Sequence, residues 1–223
     1  ISGPTEAGVF YGIQTLRKSI PVAQGVDIAL PAVEINDYPR FSYRGAMLDV
    51  SRHFFPVDSV KRFIDMLALH NINRFHWHLS EDQGWRIEIK SRPELTEIGS
   101  KRAETVIGHN SGKYDGKPYG GFFTQEEAKE IVAYAADRQI EVIPEIDVPA
   151  HSNAALAAYP QFACPVVKDF IGVLPGLGGR NSEIIYCAGN DSVFTFLQDV
   201  FDEILALFPS RYIHVGGDEA RKT

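Results

Sequence analysis

The chain has 223 residues, of which 44% are apolar and 23% are charged, and its formal net charge is −7 at pH 7. This composition is typical of a globular protein that can bury a sizeable core. Its 22 Lys and Arg residues are scattered along the chain, so we expect neither nucleic acid nor an anionic membrane as a partner. No apolar run reaches the roughly 20 residues that a membrane span requires.

The first 20 residues follow a different pattern from the rest of the chain. Residues 7–19 predict a short helix, because apolar side chains recur at helical spacing at Val9, Phe10, Ile13 and Leu16. The proline-containing segment 21–39 predicts an irregular or edge-strand connection. We interpret residues 1–20 as the end of a preceding domain.

From Arg44 onward, predicted strands alternate with predicted helices. Four apolar segments predict strands, at residues 44–50, 74–79, 141–147 and 212–215. Amphipathic helices are predicted to begin at Pro56, at a capping box formed by Thr124 and Glu127, and at Ser192. Residues 86–121 form a long polar connection whose length indicates a functional loop. This alternation predicts a parallel sheet with helices outside it.

Polar side chains follow the end of each predicted strand. They are Arg52 with His53, Glu81 with Asp82, Asp147 with His151, and Asp218 with Glu219. In a (β/α)8 barrel the active site is built at this end of the strands. We therefore predict an α/β fold, a (β/α)8 TIM barrel truncated to about its first four βα units, since a full barrel typically takes about 250 residues. A doubly wound sheet is the alternative architecture.

The adjacent acids Asp218 and Glu219 follow two glycines, Gly216 and Gly217. Glycine tolerates backbone angles closed to other residues and lets a ligand approach the chain. Two carboxylates that share a site repel each other, so the pair can retain one proton near neutral pH. An ionised Asp218 beside a protonated Glu219 suits acid-assisted bond cleavage. An acidic N-cap of the following helix explains the pattern equally well.

His76 and His78 alternate along the second strand and therefore share one face, as zinc ligands do in some hydrolases. A third and a fourth ligand are not evident in the sequence. We therefore favour a structural, hydrogen-bonded pair, and we predict no metal and no other cofactor.

Three further features each allow two interpretations. Asp147 and His151 suit an imidazole that tunes a neighbouring acid, or a pair that ties down a loop. Arg52 offers a planar donor fork for hydroxyls or a carboxylate, or it pairs with a local acid such as Asp49. Two cysteines, Cys164 and Cys187, could form a disulfide or remain buried free thiols.

Four long motifs of the chain resemble those of glycoside hydrolase family 20, the β-N-acetylhexosaminidases. They lie, in the family's order, at residues 43–54, 75–86, 144–151 and 214–220. Residues 8–16 resemble the last helix of the small α/β domain that precedes the barrel in this family. The resemblance implies that residues 1–20 are the C-terminal remnant of that domain and that residues 40–223 are the N-terminal half of the catalytic barrel.

The resemblance also implies a reaction. Members hydrolyse terminal β-linked N-acetylglucosamine or N-acetylgalactosamine from glycans, with exo action and retention, and the substrate's own acetamido carbonyl replaces an enzyme nucleophile through an oxazolinium intermediate. By this similarity, Glu219 is the general acid and base, and Asp218 holds the acetamido group. Arg52 would bind ring hydroxyls.

The second-strand acid and the histidine complete the implied site. His151 with Glu81 would orient and tune Glu219, and Asp147 would support them. The family often has aspartate where this chain has Glu81, so the longer side chain must fold back to reach His151. Ala150 stands where glycine is usual.

The family's later strands supply aromatic residues around the acetamido group, at positions beyond this chain. The alternative function is therefore an inactive or sugar-binding barrel segment that lacks the second half of the site. An open half-barrel would also expose an apolar edge and interior, so we expect self-association. The resemblance is compatible with a secreted, periplasmic or lysosomal location and does not choose among them.

Overall fold

The computed structural model describes residues 1–22, 27–109, 111–165, 172–176 and 184–220. Its strands are β1 (Gly45–Asp49), β2 (Arg74–His78), β3 (Ser80–Glu81), β4 (Gly84–Trp85), β5 (Lys101–Arg102), β6 (Tyr119–Gly120), β7 (Glu141–Val148) and β8 (His214–Gly216). Its α-helices are α1 (Glu6–Ser19), α2 (Val57–Leu69), α3 (Glu94–Glu97), α4 (Gln125–Ala136), α5 (Asn153–Ala158) and α6 (Asp191–Leu207), and a 3₁₀ turn spans Pro160–Phe162.

The central sheet contains the four predicted strands in the order β1-β2-β7-β8, and all three pairings are parallel. The predicted parallel sheet is therefore confirmed. Parallel pairing brings the carboxyl ends of all four strands to one edge. The segments that follow β1, β2, β7 and β8 consequently meet there.

The β2 strand separates an apolar face from a polar face. Phe75 packs against Phe63 of α2 with ring centroids 5.6 Å apart, and Trp77 packs against Phe123 with centroids 4.8 Å apart. Successive side chains of a strand point to opposite faces, so His76 and His78 lie on the face away from α2.

Three helices cover the apolar face of the sheet. Their buried apolar residues recur at helical spacing: Val60, Ile64, Leu67 and Ala68 in α2, Ala128, Ile131 and Ala135 in α4, and Val193, Phe196, Val200, Ile204 and Leu207 in α6. Burial of this amphipathic stripe stabilises a surface helix more than its intrinsic propensity does. The three amphipathic helices predicted from the sequence are confirmed.

Helix starts were predicted less accurately than helix faces. The capping box of α4 is present, since Thr124 accepts from the Glu127 N–H and the Glu127 side chain accepts from the Thr124 N–H. The predicted start of α6 at Ser192 is wrong. Asn190 is the N-cap, and its side-chain oxygen accepts from the Ser192 N–H at 3.0 Å. Asn and Ser are similarly good N-caps, so local sequence did not discriminate between them.

The N-terminal helix α1 lies against α2 and matches its predicted range to within one residue. Ile13 and Leu16 are nevertheless exposed, and Gln14 is its one fully buried residue. Within the described residues, only part of the apolar face predicted for α1 is therefore covered by the rest of the chain. Residues 27–40 contain no helix or strand, as expected for the connection.

The predicted long loop is folded to a greater extent than expected. It contains β5, β6 and α3, and it is anchored by Arg86, which is fully buried and donates to the carbonyls of Ser51, Ser100 and Gly121. Buried guanidinium groups require such partners because unpaired buried charge is costly. Arg86 thereby joins the segment after β1 to the segments after β4 and β6.

Within the described ranges, no helix is both long enough and apolar enough to cross a membrane.

Candidate active site

The predicted polar residues converge at the carboxyl edge of the sheet, with His151 at their centre. Its Nδ1 lies 2.8 Å from Glu81 Oε1, and its Nε2 lies 3.3 Å from Glu219 Oε2 and 3.7 Å from Asp218 Oδ2. One buried imidazole thus joins acids that follow β2 and β8. The Asp82 and Glu81 carboxylates raise the pKa of His151 to about 11.

Glu81 folds back as its length requires. It is fully buried, and its Oε2 lies 3.1 Å from Arg52 Nη2 while its Oε1 faces His151 and accepts from the Asp82 N–H. Burial disfavours the carboxylate, but His151, His78 and Arg52 outweigh this effect and lower the pKa of Glu81 to about 2. Glutamate therefore makes the contact with His151 at this position.

Arg52 makes the local ion pair that the sequence allowed, and it makes a second one with Glu81. Its Nη1 lies 2.6 Å from Asp49 Oδ2, which is the local ion pair, and its Nη2 faces Glu81. The side chain is 37% exposed. Two acids therefore hold the guanidinium group, while about a third of the side chain stays accessible to a ligand.

Asp147 is buried beside the glycine turn that follows β8. A Cβ atom added to Gly216 would lie 1.8 Å from Asp147 Oδ1, and Gly216 has a φ of +63°, so only glycine fits there. The Gly217 N–H lies 3.4 Å from the same oxygen. Burial is the main cause that raises the pKa of Asp147 to about 7. The charge of His151 opposes this shift, and the carboxylates of Asp218, Glu81 and Glu145 add to it.

Asp218 and Glu219 have side chains that are 67% and 73% exposed. Both point toward His151, and Glu219 has a φ of +48°. The alternative role of these acids as an N-cap concerns a helix beyond residue 220, which lies outside the described residues. The arrangement can place a proton donor and a second carboxylate side by side at an accessible edge.

The histidine pair of β2 is hydrogen-bonded, as predicted. His76 Nε2 and His78 Nδ1 lie 2.5 Å and 2.6 Å from the same oxygen, Glu145 Oε2. His214 Nδ1 lies 3.0 Å from the other oxygen of Glu145. Further ligand-type residues were not evident in the sequence, and the structure supplies two of them, Glu145 and His214, from neighbouring strands.

Several of these groups could in principle hold a metal ion. The ligand atoms of His76, Glu145 and His214 lie within 4.8 Å of one another, as do those of three overlapping sets around Glu81, Asp147 and His151. The contacts of Glu145 with His76 and His78 have hydrogen-bond lengths, which are shorter than two ligands of one zinc ion usually approach. The geometry fits a hydrogen-bonded network better than a metal centre.

The structure adds His78 and Glu145 to the residues predicted for the site, and it gives Asp82, predicted only as a neighbour of Glu81 at the strand end, a place in it. Asp82 is fully buried, its Oδ1 accepts from the Asn153 N–H at 3.0 Å, and burial raises its pKa. Its position next to Glu81 was the one available signal. No local pattern links His78 to Glu145, which is 67 residues away in the chain.

Comparisons with known proteins agree with one another. The profile described as "Glycosyl hydrolase family 20, catalytic domain" matches residues 41–223. The β-hexosaminidase of Porphyromonas gingivalis is 51% identical over 228 residues, which cover 100% of this chain and 28% of that protein. The β-hexosaminidase of Vibrio furnissii is 45% identical and covers 87% of this chain and 31% of that protein.

Solved structures give the same result. The β-N-acetylhexosaminidase of Bacteroides fragilis has a TM-score of 0.79 at 44% identity, over 99% of this chain and 40% of that one. The family 20 β-N-acetylhexosaminidase of Streptomyces coelicolor has a TM-score of 0.83 at 43% identity, over 96% and 41%. The chain therefore spans less than half the length of each of these proteins, and it has the α/β fold of a TIM-barrel family.

Proposed function

The chain belongs to glycosyl hydrolase family 20, and we propose that it is the N-terminal half of the catalytic barrel of an exo-acting, retaining β-N-acetylhexosaminidase. The barrel would be truncated here to about its first four βα units, in residues 40–223. Residues 1–20 would be the C-terminal remnant of a preceding small α/β domain. Two observations support this division. The sheet has four parallel strands, and the chain spans 28–41% of the length of the four relatives named above.

One observation carries the catalytic proposal, namely the placement of His151 between Glu81 and Glu219. A general acid must be held in one orientation to protonate a leaving group efficiently. The imidazole contacts Glu219 with one nitrogen while a buried carboxylate holds the other nitrogen. Glu219 is therefore assigned as the general acid and base.

In the first step, protonated Glu219 gives its proton to the glycosidic oxygen. The carbonyl oxygen of the substrate's 2-acetamido group attacks the anomeric carbon, the bond from that carbon to the aglycone oxygen breaks with its electron pair going to that oxygen, and an oxazolinium ion remains. The carboxylate of Asp218 would bind the acetamido N–H and stabilise the positive charge that develops there.

In the second step, the Glu219 carboxylate takes a proton from a water molecule. The water oxygen attacks the anomeric carbon and the bond from that carbon to the acetamido oxygen breaks, which restores the acetamide. Two inversions give net retention. Arg52 would hold ring hydroxyls of a terminal N-acetylglucosamine or N-acetylgalactosamine, and Asp147 would support the turn that carries Asp218.

The alternative is an inactive or sugar-binding barrel segment. The side chains of Asp218 and Glu219 are highly exposed, whereas catalysis of this kind needs an ordered site that excludes water. For the 223-residue chain by itself, this exposure favours the inactive or sugar-binding alternative. For this reason the test uses the full-length protein that carries this chain.

We expect the full-length protein to release nitrophenol from nitrophenyl N-acetyl-β-glucosaminide. Glu219→Gln should lower kcat by about 10²- to 10⁴-fold, since a general acid contributes about that much. Nitrophenyl β-glucoside should be hydrolysed at least about 100-fold more slowly than the acetamido sugar, since it lacks the internal nucleophile. The same substitution at exposed Glu97 of α3 is the control and should leave kcat unchanged.

Three results would count against the proposal. Absence of turnover by the full-length protein would favour the sugar-binding alternative. Unimpaired turnover after Glu219→Gln would remove the role of that residue. Loss of activity on chelation by EDTA would instead favour a metal-dependent hydrolase that uses His76 and His78.

A further inference from the structure

A row of four ionisable residues crosses the sheet below the candidate site. The pairing register aligns Asp49 with His78, His78 with Glu145, and Glu145 with His214. One residue comes from each strand of the central sheet. We call these four residues the charged row. In the sequence they are separated by 29, 67 and 69 positions, so the row exists only through strand register.

Within the charged row, Glu145 fixes the orientation of the His78 ring. Glu145 is buried, and its Oε2 lies 2.6 Å from His78 Nδ1. With Nδ1 engaged in this way, the opposite ring nitrogen, Nε2, faces Glu81 Oε2 at 3.4 Å. His78 thus connects the charged row to the carboxylate that contacts His151.

Glu81 needs such a partner because its side chain has more rotatable bonds than that of aspartate, and fixing each of them costs entropy. Its Oε2 has two positively charged neighbours, Arg52 and His78. Arg52 is partly exposed and is proposed to bind the sugar. His78 is only 4% exposed, so it can hold Glu81 without contacting the substrate.

The electrostatic setting agrees with this geometry. Burial disfavours a charged imidazole, but the carboxylates of Glu145 and Glu81 outweigh it and raise the pKa of His78 to about 10. A charged imidazole has a hydrogen on both ring nitrogens. His78 therefore hydrogen-bonds Glu145 through Nδ1, while its Nε2 makes an ion-pair contact with Glu81 that lies outside hydrogen-bond geometry. Asp49, the other acid that contributes to this effect, lies beside His78 in the charged row.

We propose that His78, oriented by Glu145, is a positioning residue that holds Glu81 and through it sets His151 against Glu219. The contacts run Glu145–His78–Glu81–His151–Glu219 through five side chains that lie on, or just after, the three strands β2, β7 and β8. The inference rests on the proposed function, because it assigns a support to the general acid of that reaction.

The test is His78→Asn in the full-length protein. The asparagine amide can occupy the position of Nδ1 and keep the bond to Glu145, while nothing replaces Nε2 toward Glu81. Two substrates are compared by kcat/KM, namely phenyl and dinitrophenyl N-acetyl-β-glucosaminide. Phenol is a poor leaving group that depends on protonation, whereas dinitrophenol leaves with little help.

We expect His78→Asn to lower kcat/KM by about 10- to 100-fold on the phenyl substrate. This loss is smaller than the roughly 10²- to 10⁴-fold that a general acid contributes, because Glu219 itself is still present. On the dinitrophenyl substrate the loss should be about threefold or less. A variant that only misfolds loses active molecules, which lowers both values by one factor and leaves their ratio unchanged. The ratio is therefore the readout.

His76→Asn is the matched control. His76 bonds the same oxygen of Glu145 through Nε2, and among the described contacts it does not touch Glu81. The change removes a hydrogen bond from Glu145, and both substrates should lose activity to the same extent. An equal loss on both substrates in His78→Asn would overturn the inference. A larger loss on the phenyl substrate than on the dinitrophenyl substrate in His76→Asn would overturn it as well.

Failure of the proposed function gives a different result. In that case the full-length protein is inactive on both substrates, or Glu219→Gln does not lower kcat/KM more on the phenyl substrate than on the dinitrophenyl substrate. If Glu219→Gln lowers kcat/KM more on the phenyl substrate and His78→Asn does not, the proposed function stands and the role assigned to His78 is wrong.

Discussion

Among single residues, two acids of the site are similarly buried but have pKa values shifted in opposite directions. Glu81 has cationic groups against both of its oxygens, and its pKa falls to about 2 despite burial. Asp147 is equally buried, but an amide N–H at 3.4 Å is its nearest described donor, and its pKa rises to about 7. Direct charge partners, and not burial alone, thus decide which acid stays ionised.

This difference predicts how stability depends on pH. An aspartate in the unfolded chain loses its proton near pH 3.8, whereas folded Asp147 keeps it until about pH 7. Between these values the folded state binds more protons, so this residue's contribution to stability is lost as pH rises. The unfolding free energy of Asp147→Asn, minus that of wild type, should therefore increase with pH between pH 4 and pH 7. The slope should be at most about 1.4 kcal/mol per pH unit.

Urea unfolding of wild type and variant between pH 2 and pH 8.5 measures this difference and includes the range in which Glu81 titrates. Glu81→Gln is a control of opposite sign, because the contribution of a lowered pKa is present above pH 4.5 and is lost as pH falls toward 2. A pH-independent difference for Asp147→Asn would show that the folded carboxyl titrates as it does in the unfolded chain.

At the level of secondary-structure elements, an isolated bridge brings the two cysteines together. Ala163 pairs with Tyr186 in antiparallel fashion, and the Cys187 N–H donates to the Phe162 carbonyl at 2.9 Å. Both cysteines are free thiols, and burial together with a hydrogen bond to Cys187 raises the pKa of the Cys164 thiol. The sequence left a disulfide and free thiols equally open, and the contact makes either state accessible.

We predict that mild oxidation joins Cys164 to Cys187. The chain mass should fall by about 2 Da, and the disulfide should stabilise the fold by about 3 kcal/mol, because closing a loop of this size restricts the unfolded state. Mass spectrometry and thermal melting measure the two effects. Cys164→Ser should abolish both, as should a reductant. Two thiols that remain titratable after oxidation would contradict the prediction.

Considered as a whole molecule, the described chain has a sheet with two unpaired edges. Within the described ranges, β1 and β8 each pair with a single strand of the central sheet. Met47 of β1 and Val215 of β8 are exposed. Unpaired edges with exposed apolar residues are templates for pairing with another chain.

We therefore predict that the 223-residue chain self-associates. Light scattering after size exclusion at micromolar concentration should show species larger than a monomer, and Val215→Lys should reduce them because an edge charge opposes strand pairing. Leu205→Lys, on the exposed side of α6 and away from the edges, is the control and should change little. A monodisperse monomer that melts cooperatively would contradict the prediction.

The amino-acid sequence by itself determined the alternation of strands and helices, the buried helical faces, the capping box at Thr124 and the motifs that name the family. These features depend on the period of side chains along one element and on residues a few positions apart. The same local rule placed Arg52, Glu81, Asp147 and Asp218 at strand ends. Parallel pairing then brought them to one edge, as predicted.

Only the tertiary structure decided which of these groups touch. Register between strands far apart in the chain put Glu145 between His78 and His214, and no local pattern contains that register. Close packing decided that Gly216 must lack a side chain because Asp147 occupies its space. The charges of the site depend on these contacts, since the pKa of a buried acid is set by atoms within a few ångströms whatever their distance along the chain.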